Sequence, residues 1–73
     1  MLGDLQQVVG RNLRARRQAL GLTQEEFAHA IGVHRTYLGD VERGERNISL
    51  RRLERIAQEL KIEARTLLDE NAS

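Results

Sequence analysis

An all-α fold is the expectation for this 73-residue chain, and three features of the sequence carry it. There is no proline. Apolar residues recur at helical spacing almost throughout. Capping residues and glycines divide that periodicity into short blocks, as helix starts and stops do. Together they predict one compact five-helix domain over residues 1–73, with two short helices and a tight turn at about residues 24–43.

The first helix is expected to open at Asp4, an N-cap with Gln7 three residues on. Its buried stripe reads Leu5, Val8, Val9, Leu13 and Leu20, and Gly21 ends it as a left-handed terminator. Arg16 falls within the stripe by angle, so its stem should lie on the core while its head reaches water. The second helix has the clearest start in the chain. Thr23 and Glu26 form a capping box, and Leu22 before the cap pairs with Phe27 as a hydrophobic staple. Ala28, Ala30 and Ile31 complete this segment before Gly32 stops it. A third helix runs from His34 or Arg35 to Arg43, ended by Gly44, and residues 45–48 form a loop. Ser49 caps a fourth helix with the stripe Leu50, Leu53, Ile56, Ala57 and Leu60. It ends at Lys61, where Gly or Asn is usual because other residues resist the left-handed conformation. A fifth, short helix over 64–70 carries Leu67 and Leu68, and Asn71-Ala72-Ser73 form a frayed tail.

Composition excludes several classes of function. The absence of cysteine removes a disulfide framework, a thiolate zinc site and a cysteine nucleophile. His29 and His34 stand five apart, which does not place them on one helix face, and no third ligand converges on them. There is no glycine-rich phosphate loop and no nucleophile elbow, so neither an enzyme, a metal site nor a cofactor is expected. No signal peptide or membrane-spanning run is visible, and the expected location is the cytoplasm. Net charge is only +1, but 11 of the 12 basic residues are arginine. Arginine suits bidentate recognition of phosphate and guanine better than lysine does. Positive charge collects in residues 1–22 and 34–55, and the segments 23–33 and 56–73 are acidic.

The turn between the second and third helices satisfies several steric demands at once. Helices crossing at a tight corner need a residue tolerant of positive φ, supplied by Gly32. They need a small residue at closest approach, supplied by Ala28, and a plug just past the corner, supplied by Val33. Ile31, Leu38 and Val41 then bury the inner faces. On the third helix, Tyr37 and Glu42 flank Leu38 and Val41, and Arg35, Thr36, Gly39, Asp40 and Arg43 face outward. Glycine in a helix interior costs about 1 kcal/mol relative to alanine. Gly39 is explained if its face must approach the floor of a DNA groove. Arg35 and Thr36 occupy the helix N-terminus, the end that reaches base edges in helix-turn-helix docking. Arginine can bond guanine O6 and N7, and threonine can bond a base or pack on a thymine methyl. Base contacts are therefore expected from Arg35, Thr36, Gly39 and Asp40, and backbone contacts from the flanking His34 and Arg43.

Gly21-Leu22-Thr23-Gln24-Glu25-Glu26-Phe27-Ala28, Ile31-Gly32-Val33 and Val41-Glu42-Arg43-Gly44 resemble the lambda-repressor and Cro-like helix-turn-helix superfamily. His34-Arg35-Thr36-Tyr37-Leu38-Gly39 and Glu45-Arg46-Asn47-Ile48-Ser49-Leu50 resemble the controller proteins of restriction–modification systems. The resemblance implies that Gln24 bonds a phosphate and buttresses the recognition helix. It implies that Tyr37 reaches the DNA backbone through its hydroxyl, and that Arg46 and Asn47 touch DNA from the loop. It implies a structural pair between Arg17 and Glu42, and the angular positions of both, at the borders of apolar faces, agree. The sequence departs from the superfamily pattern at His34, where Ser, Thr or Asp commonly caps the recognition helix, at Arg16, usually apolar, and at Lys61.

The resulting expectation is a sequence-specific regulator that binds a pseudo-palindromic double-stranded operator as a homodimer. The dimer is expected through Ile62, Leu67 and Leu68, with the two recognition helices about one DNA turn (~34 Å) apart. RNA polymerase is a further partner if the protein activates transcription, and no small-molecule ligand is expected. The alternative is an antitoxin-like or bridging module that uses the same fold to bind protein.

Overall fold

A computed structural model describes residues 5–71. The expected cap at Asp4 and the tail residues Ala72 and Ser73 lie outside the described residues. The described residues form four α-helices, α1 Leu5–Ala19, α2 Gln24–Ile31, α3 Arg35–Glu42 and α4 Leu50–Leu60, followed by a 3-10 helix at Ala64–Leu68. Among the described residues there is no strand, and no helix is long and apolar enough to cross a membrane. Helix α1 packs against α3 and the 3-10 helix, and α2 packs against α3 and α4. Phe27, Leu13, Leu38, Ile56 and Leu67 fill the centre.

The local signals act where the sequence places them. The Thr23 hydroxyl accepts from the Glu26 amide at 3.1 Å, and the Glu26 carboxylate accepts from the Thr23 amide at 2.9 Å. Two of the four amides that a helix start leaves unpaired are thereby satisfied. Gly32 ends α2 in the left-handed region at φ 74°. The chain then turns directly into α3, with Leu22 and Val33 packed on the core to either side of α2. Ser49 caps α4 through the Arg52 amide at 3.1 Å. Lys61 adopts the left-handed conformation at φ 59° and ψ 42°, despite its side chain.

Four expectations are corrected. The closing element is a 3-10 helix of five residues rather than an α-helix over 64–70. Asn12 Nδ2 donates to the carbonyls of Leu67 and Asp69, both at 2.9 Å. Acceptors that a continuing helix would use are thus taken by α1. Leu5, Leu20 and Leu50 are not core residues; they are 52 %, 57 % and 77 % exposed. All three sit at helix ends, where an in-phase side chain extends beyond the packed layer. Ala30 is also exposed. Leu67, expected at a dimer surface, is 1 % exposed and fills the protomer's own core.

Two buried positions on α1 carry no apolar side chain. Gly10 lies where α1 crosses the end of α3, and a Cβ there would overlap the Val41 carbonyl oxygen. Its missing side chain lets the two helices touch backbone to backbone. Asn12 is 5 % exposed, and among the described residues its Oδ1 has no hydrogen-bond partner. Both amide hydrogens are used and the carbonyl end is left over.

Candidate nucleic-acid interface

Helix α3 presents its N-terminus outward. Arg35 and Thr36 are exposed on its first turn. No carboxylate among the described residues lies within ion-pair distance of Arg35. His34 is the N-cap, and its Nδ1 accepts from the Thr36 amide at 3.1 Å. The imidazole therefore replaces the usual hydroxyl or carboxylate cap. With Nδ1 an acceptor, the proton of the neutral ring sits on Nε2, leaving a donor at the helix entrance.

A polar interlock fixes the other end of α3. Arg17 Nε donates to Glu42 Oε2 at 2.8 Å and Arg17 Nη2 donates to Glu42 Oε1 at 3.0 Å. Arg17 Nη1 also donates to the Leu22 carbonyl at 3.1 Å, tying in the segment before α2. Gln24 Nε2 donates to Glu42 Oε1 at 3.0 Å. One carboxylate thus joins α1, α2 and α3. The two side chains are 15 % and 4 % exposed, which makes this a buried ion pair whose geometry is bidentate. The hydrogen bond that Arg17 donates to Glu42 holds its guanidinium above its ordinary pKa, against the desolvation that would lower it. Arg14, Arg17, Gln24, Glu42 and Arg43 line a polar hollow above the interlock.

The remaining expected site residues divide between exposed and engaged positions. Gly39 is buried: a Cβ there would meet Arg43 Nη1 at 3.3 Å and the Gln24 amide at 3.8 Å. The expectation of an open Gly39 face is corrected, because Gln24 and Arg43 fold over it. Asp40, expected to read bases, is ion-paired with Arg43 and stands 3.8 Å from Arg46 Nη1. Arg43 also donates to Glu45 at 3.0 Å, and these acidic neighbours raise its pKa. Asn47 is exposed in the loop. Tyr37 is half-buried on the core, and burial pushes its phenol pKa up while two arginines pull it down. One of those arginines is not among the expected site residues. Arg52 from α4 stands over the Tyr37 ring at 4.9 Å, as Arg46 does from the loop. Ile62 and Leu68 pack partly on the core and keep some exposed surface.

Comparison with known proteins places this geometry among regulators. A family model described as helix-turn-helix matches residues 13–67. The chain is similar to control protein C.SmaI of Serratia marcescens, 40 % identical over 65 residues that cover 89 % of this chain and 77 % of that one. It is 36 % identical to control protein C.BamHI of Bacillus amyloliquefaciens, over 94 % of this chain and 86 % of that one. The crystal structure of the restriction-modification controller protein C.AhdI from Aeromonas hydrophila superposes with a TM-score of 0.75 at 45 % identity. That superposition covers 85 % of this chain and 94 % of C.AhdI.

Proposed function

The chain belongs to the helix-turn-helix family of the lambda-repressor and Cro type, a DNA-binding transcriptional regulator, and on that premise we propose how it uses the fold. It binds a pseudo-palindromic operator as a homodimer, and its operator lies in a restriction–modification operon that it controls. The controller proteins among its relatives support the operon assignment.

One observation carries the recognition mechanism: Arg35 and Thr36 stand free at the N-terminus of a helix whose far end is locked to α1 and α2. Orientation is fixed by the interlock, so the exposed side chains meet base edges at a defined angle. Arg35 donates two hydrogen bonds to guanine, and Thr36 packs on a neighbouring base. Gln24 has one amide hydrogen on Glu42 and a second for a phosphate. His34 Nε2, Arg43, Arg46 and Asn47 supply further backbone contacts. Asp40, paired with Arg43 and near Arg46, acts indirectly, by directing these two arginines toward the backbone. Two copies meet through the C-terminal part, with Ile62 and Leu68 as the apolar contacts, and set the recognition helices about one turn of DNA apart.

Binding titrations of Arg35→Ala on operator and scrambled DNA test this reading. The variant should lose about 1–3 kcal/mol of discrimination at a single base pair. An equal loss on both DNAs would remove Arg35 from base reading. In sedimentation, Leu68→Asp should move the protein toward monomer, and an unchanged dimer would exclude this interface.

A further inference from the structure

Two like charges converge on one aromatic ring at the edge of the recognition surface. The guanidinium carbons of Arg46 and Arg52 each lie 4.9 Å from the centre of the Tyr37 ring. That is inside the roughly 6 Å at which a cation is attracted by the ring's quadrupole. The three residues come from three elements: Tyr37 from α3, Arg46 from the loop and Arg52 from the first turn of α4. Arg46 has Asp40 at 3.8 Å, but Asp40 is already paired with Arg43. Among the described residues no carboxylate lies within ion-pair distance of Arg52. Arg51 and Arg55 continue the positive edge, lining with Ser49 and Arg52 a shallow cleft of about 140 Å³.

Arginines gathered with so little counter-charge repel each other until an anion joins them. A guanidinium stacked through its face keeps its N–H donors, which lie in its plane, free for that anion. We propose that the Tyr37 ring is a platform holding Arg46 and Arg52 together for phosphodiester groups of the DNA backbone, and that Arg52 is a direct backbone contact. Arg52 makes the contact; Tyr37 is a positioning residue for both arginines. The inference rests on the reading of α3 as the recognition helix, and it gives the Tyr37 ring a role separate from that of its hydroxyl.

Two measurements test it, one without DNA. Tyr37 is the only tyrosine in a chain without tryptophan, so ultraviolet titration reports its phenol alone. In the free protein Arg52→Ala should move the phenol midpoint upward, because a nearby positive charge favouring the phenolate is lost. An unmoved midpoint would overturn the platform. The second measurement is anisotropy of a short random-sequence duplex over a salt series. Arg52→Ala should weaken binding roughly three- to ten-fold and lower the salt slope by about one phosphate contact. Tyr37→Phe should keep the wild-type slope and Tyr37→Leu should lose it. In the Arg46→Ala/Arg52→Ala background, Tyr37→Leu should add little.

A shifted midpoint with an unchanged salt slope for Arg52→Ala would overturn the DNA role. An equal Tyr37→Leu loss with and without the arginines would mark the ring as core packing only and overturn its positioning role. Arg52 is exposed, so its variant keeps the fold and decides the matter even if Tyr37→Leu unfolds. A wild-type protein that binds no duplex would refute the DNA-binding reading itself, whatever the titration shows.

Discussion

Helix α1 holds two short elements by opposite means. At its C-terminal half it grips α3 with a charged clamp, Arg17 on Glu42, both largely buried. Two residues past its closest approach to α3, it grips the 3-10 helix with a neutral amide, Asn12, that donates to two carbonyls and leaves its own oxygen unpartnered. The charged clamp has directional, bidentate geometry and also bonds Gln24, so it fixes the orientation of the helix that meets DNA. The neutral clamp fixes position with less at stake, since the groups it leaves behind when lost are uncharged. The difference teaches where the molecule needs an angle and where it needs only attachment.

The sharpest way to break this comparison is to remove one member of the charged clamp. Arg17→Ala leaves Glu42 buried with Gln24 as its remaining side-chain donor, and the cost should be about 3–5 kcal/mol. A small domain has on the order of 5 kcal/mol in total, so much of the population should unfold. Arg17→Met with Glu42→Leu removes both charges and should be far milder. A double-mutant cycle by urea unfolding measures the coupling. Independent losses of a few tenths of a kcal/mol would describe two surface charges and end the clamp's role. The double variant should recover stability yet bind specific DNA more weakly than the wild type, because the clamp that orients α3 is gone.

Next in size is Gly10→Ala. The added methyl would overlap the Val41 carbonyl, which belongs to backbone and cannot rotate away. Overpacking of this kind costs about 1–3 kcal/mol, and the rigid obstacle places it at the upper end. The shift it forces lies at the α1–α3 crossing, so specific DNA binding should weaken more than thermal stability alone accounts for. A variant with unchanged melting temperature would show that α1 moves aside freely. Asn12→Ala is expected to cost less, about 1–2 kcal/mol, since it strands two carbonyls but also removes an unpartnered oxygen. If Asn12→Ala proved as costly as Arg17→Ala in the same unfolding experiment, the distinction between orientation and attachment would fail.

Legibility in the sequence follows the range of each interaction. The capping box at Thr23 and Glu26, the corner at Gly32 and the cap at Ser49 are set by neighbours a few residues away, and each was readable. Arg17 with Glu42 spans 25 residues and became readable through the superfamily resemblance and the angular position of both residues. Gly10 was not read, although the logic that singled out Gly39 applies to it, a glycine inside a helix with no local purpose. At Gly39 the expected neighbour is the floor of a DNA groove, whereas the side chains of Arg43 and Gln24 make the close approach. Asn12 had a signal too, a polar residue one helical turn after Val8 on the buried side. Arg52 over Tyr37 had none, because the contact depends on how α4 returns after the loop. Leu67 and Leu68 looked alike in sequence, and only packing separates the core residue from the half-exposed one.

The smallest expected effect tests the attachment side of the comparison at its start. Lys61 ends α4 in the left-handed region, φ 59° and ψ 42°, where a side chain crowds the following carbonyl and costs roughly 1–2 kcal/mol. The conformation is nonetheless required. It lets the Lys61 amide bond Gln58 O at 3.1 Å and the Ile62 amide bond Ala57 O at 3.0 Å, closing the helix and turning the chain toward Leu67. Glycine adopts this conformation without the crowding, although it also adds freedom to the unfolded chain. The balance for Lys61→Gly should be a gain of about 1 kcal/mol, the ordinary advantage of glycine at such a stop. Lys61 is exposed and forms no ion pair among the described residues, so no contact is lost against that gain. The midpoint of urea unfolding should rise with the slope unchanged. DNA affinity should stay at the wild-type value, because the turn positions the 3-10 helix and not α3. A stabilised protein with altered operator binding would mean that the attachment at the C-terminal end also sets the angle of the recognition helix, and the two clamps on α1 would have to be treated as one device.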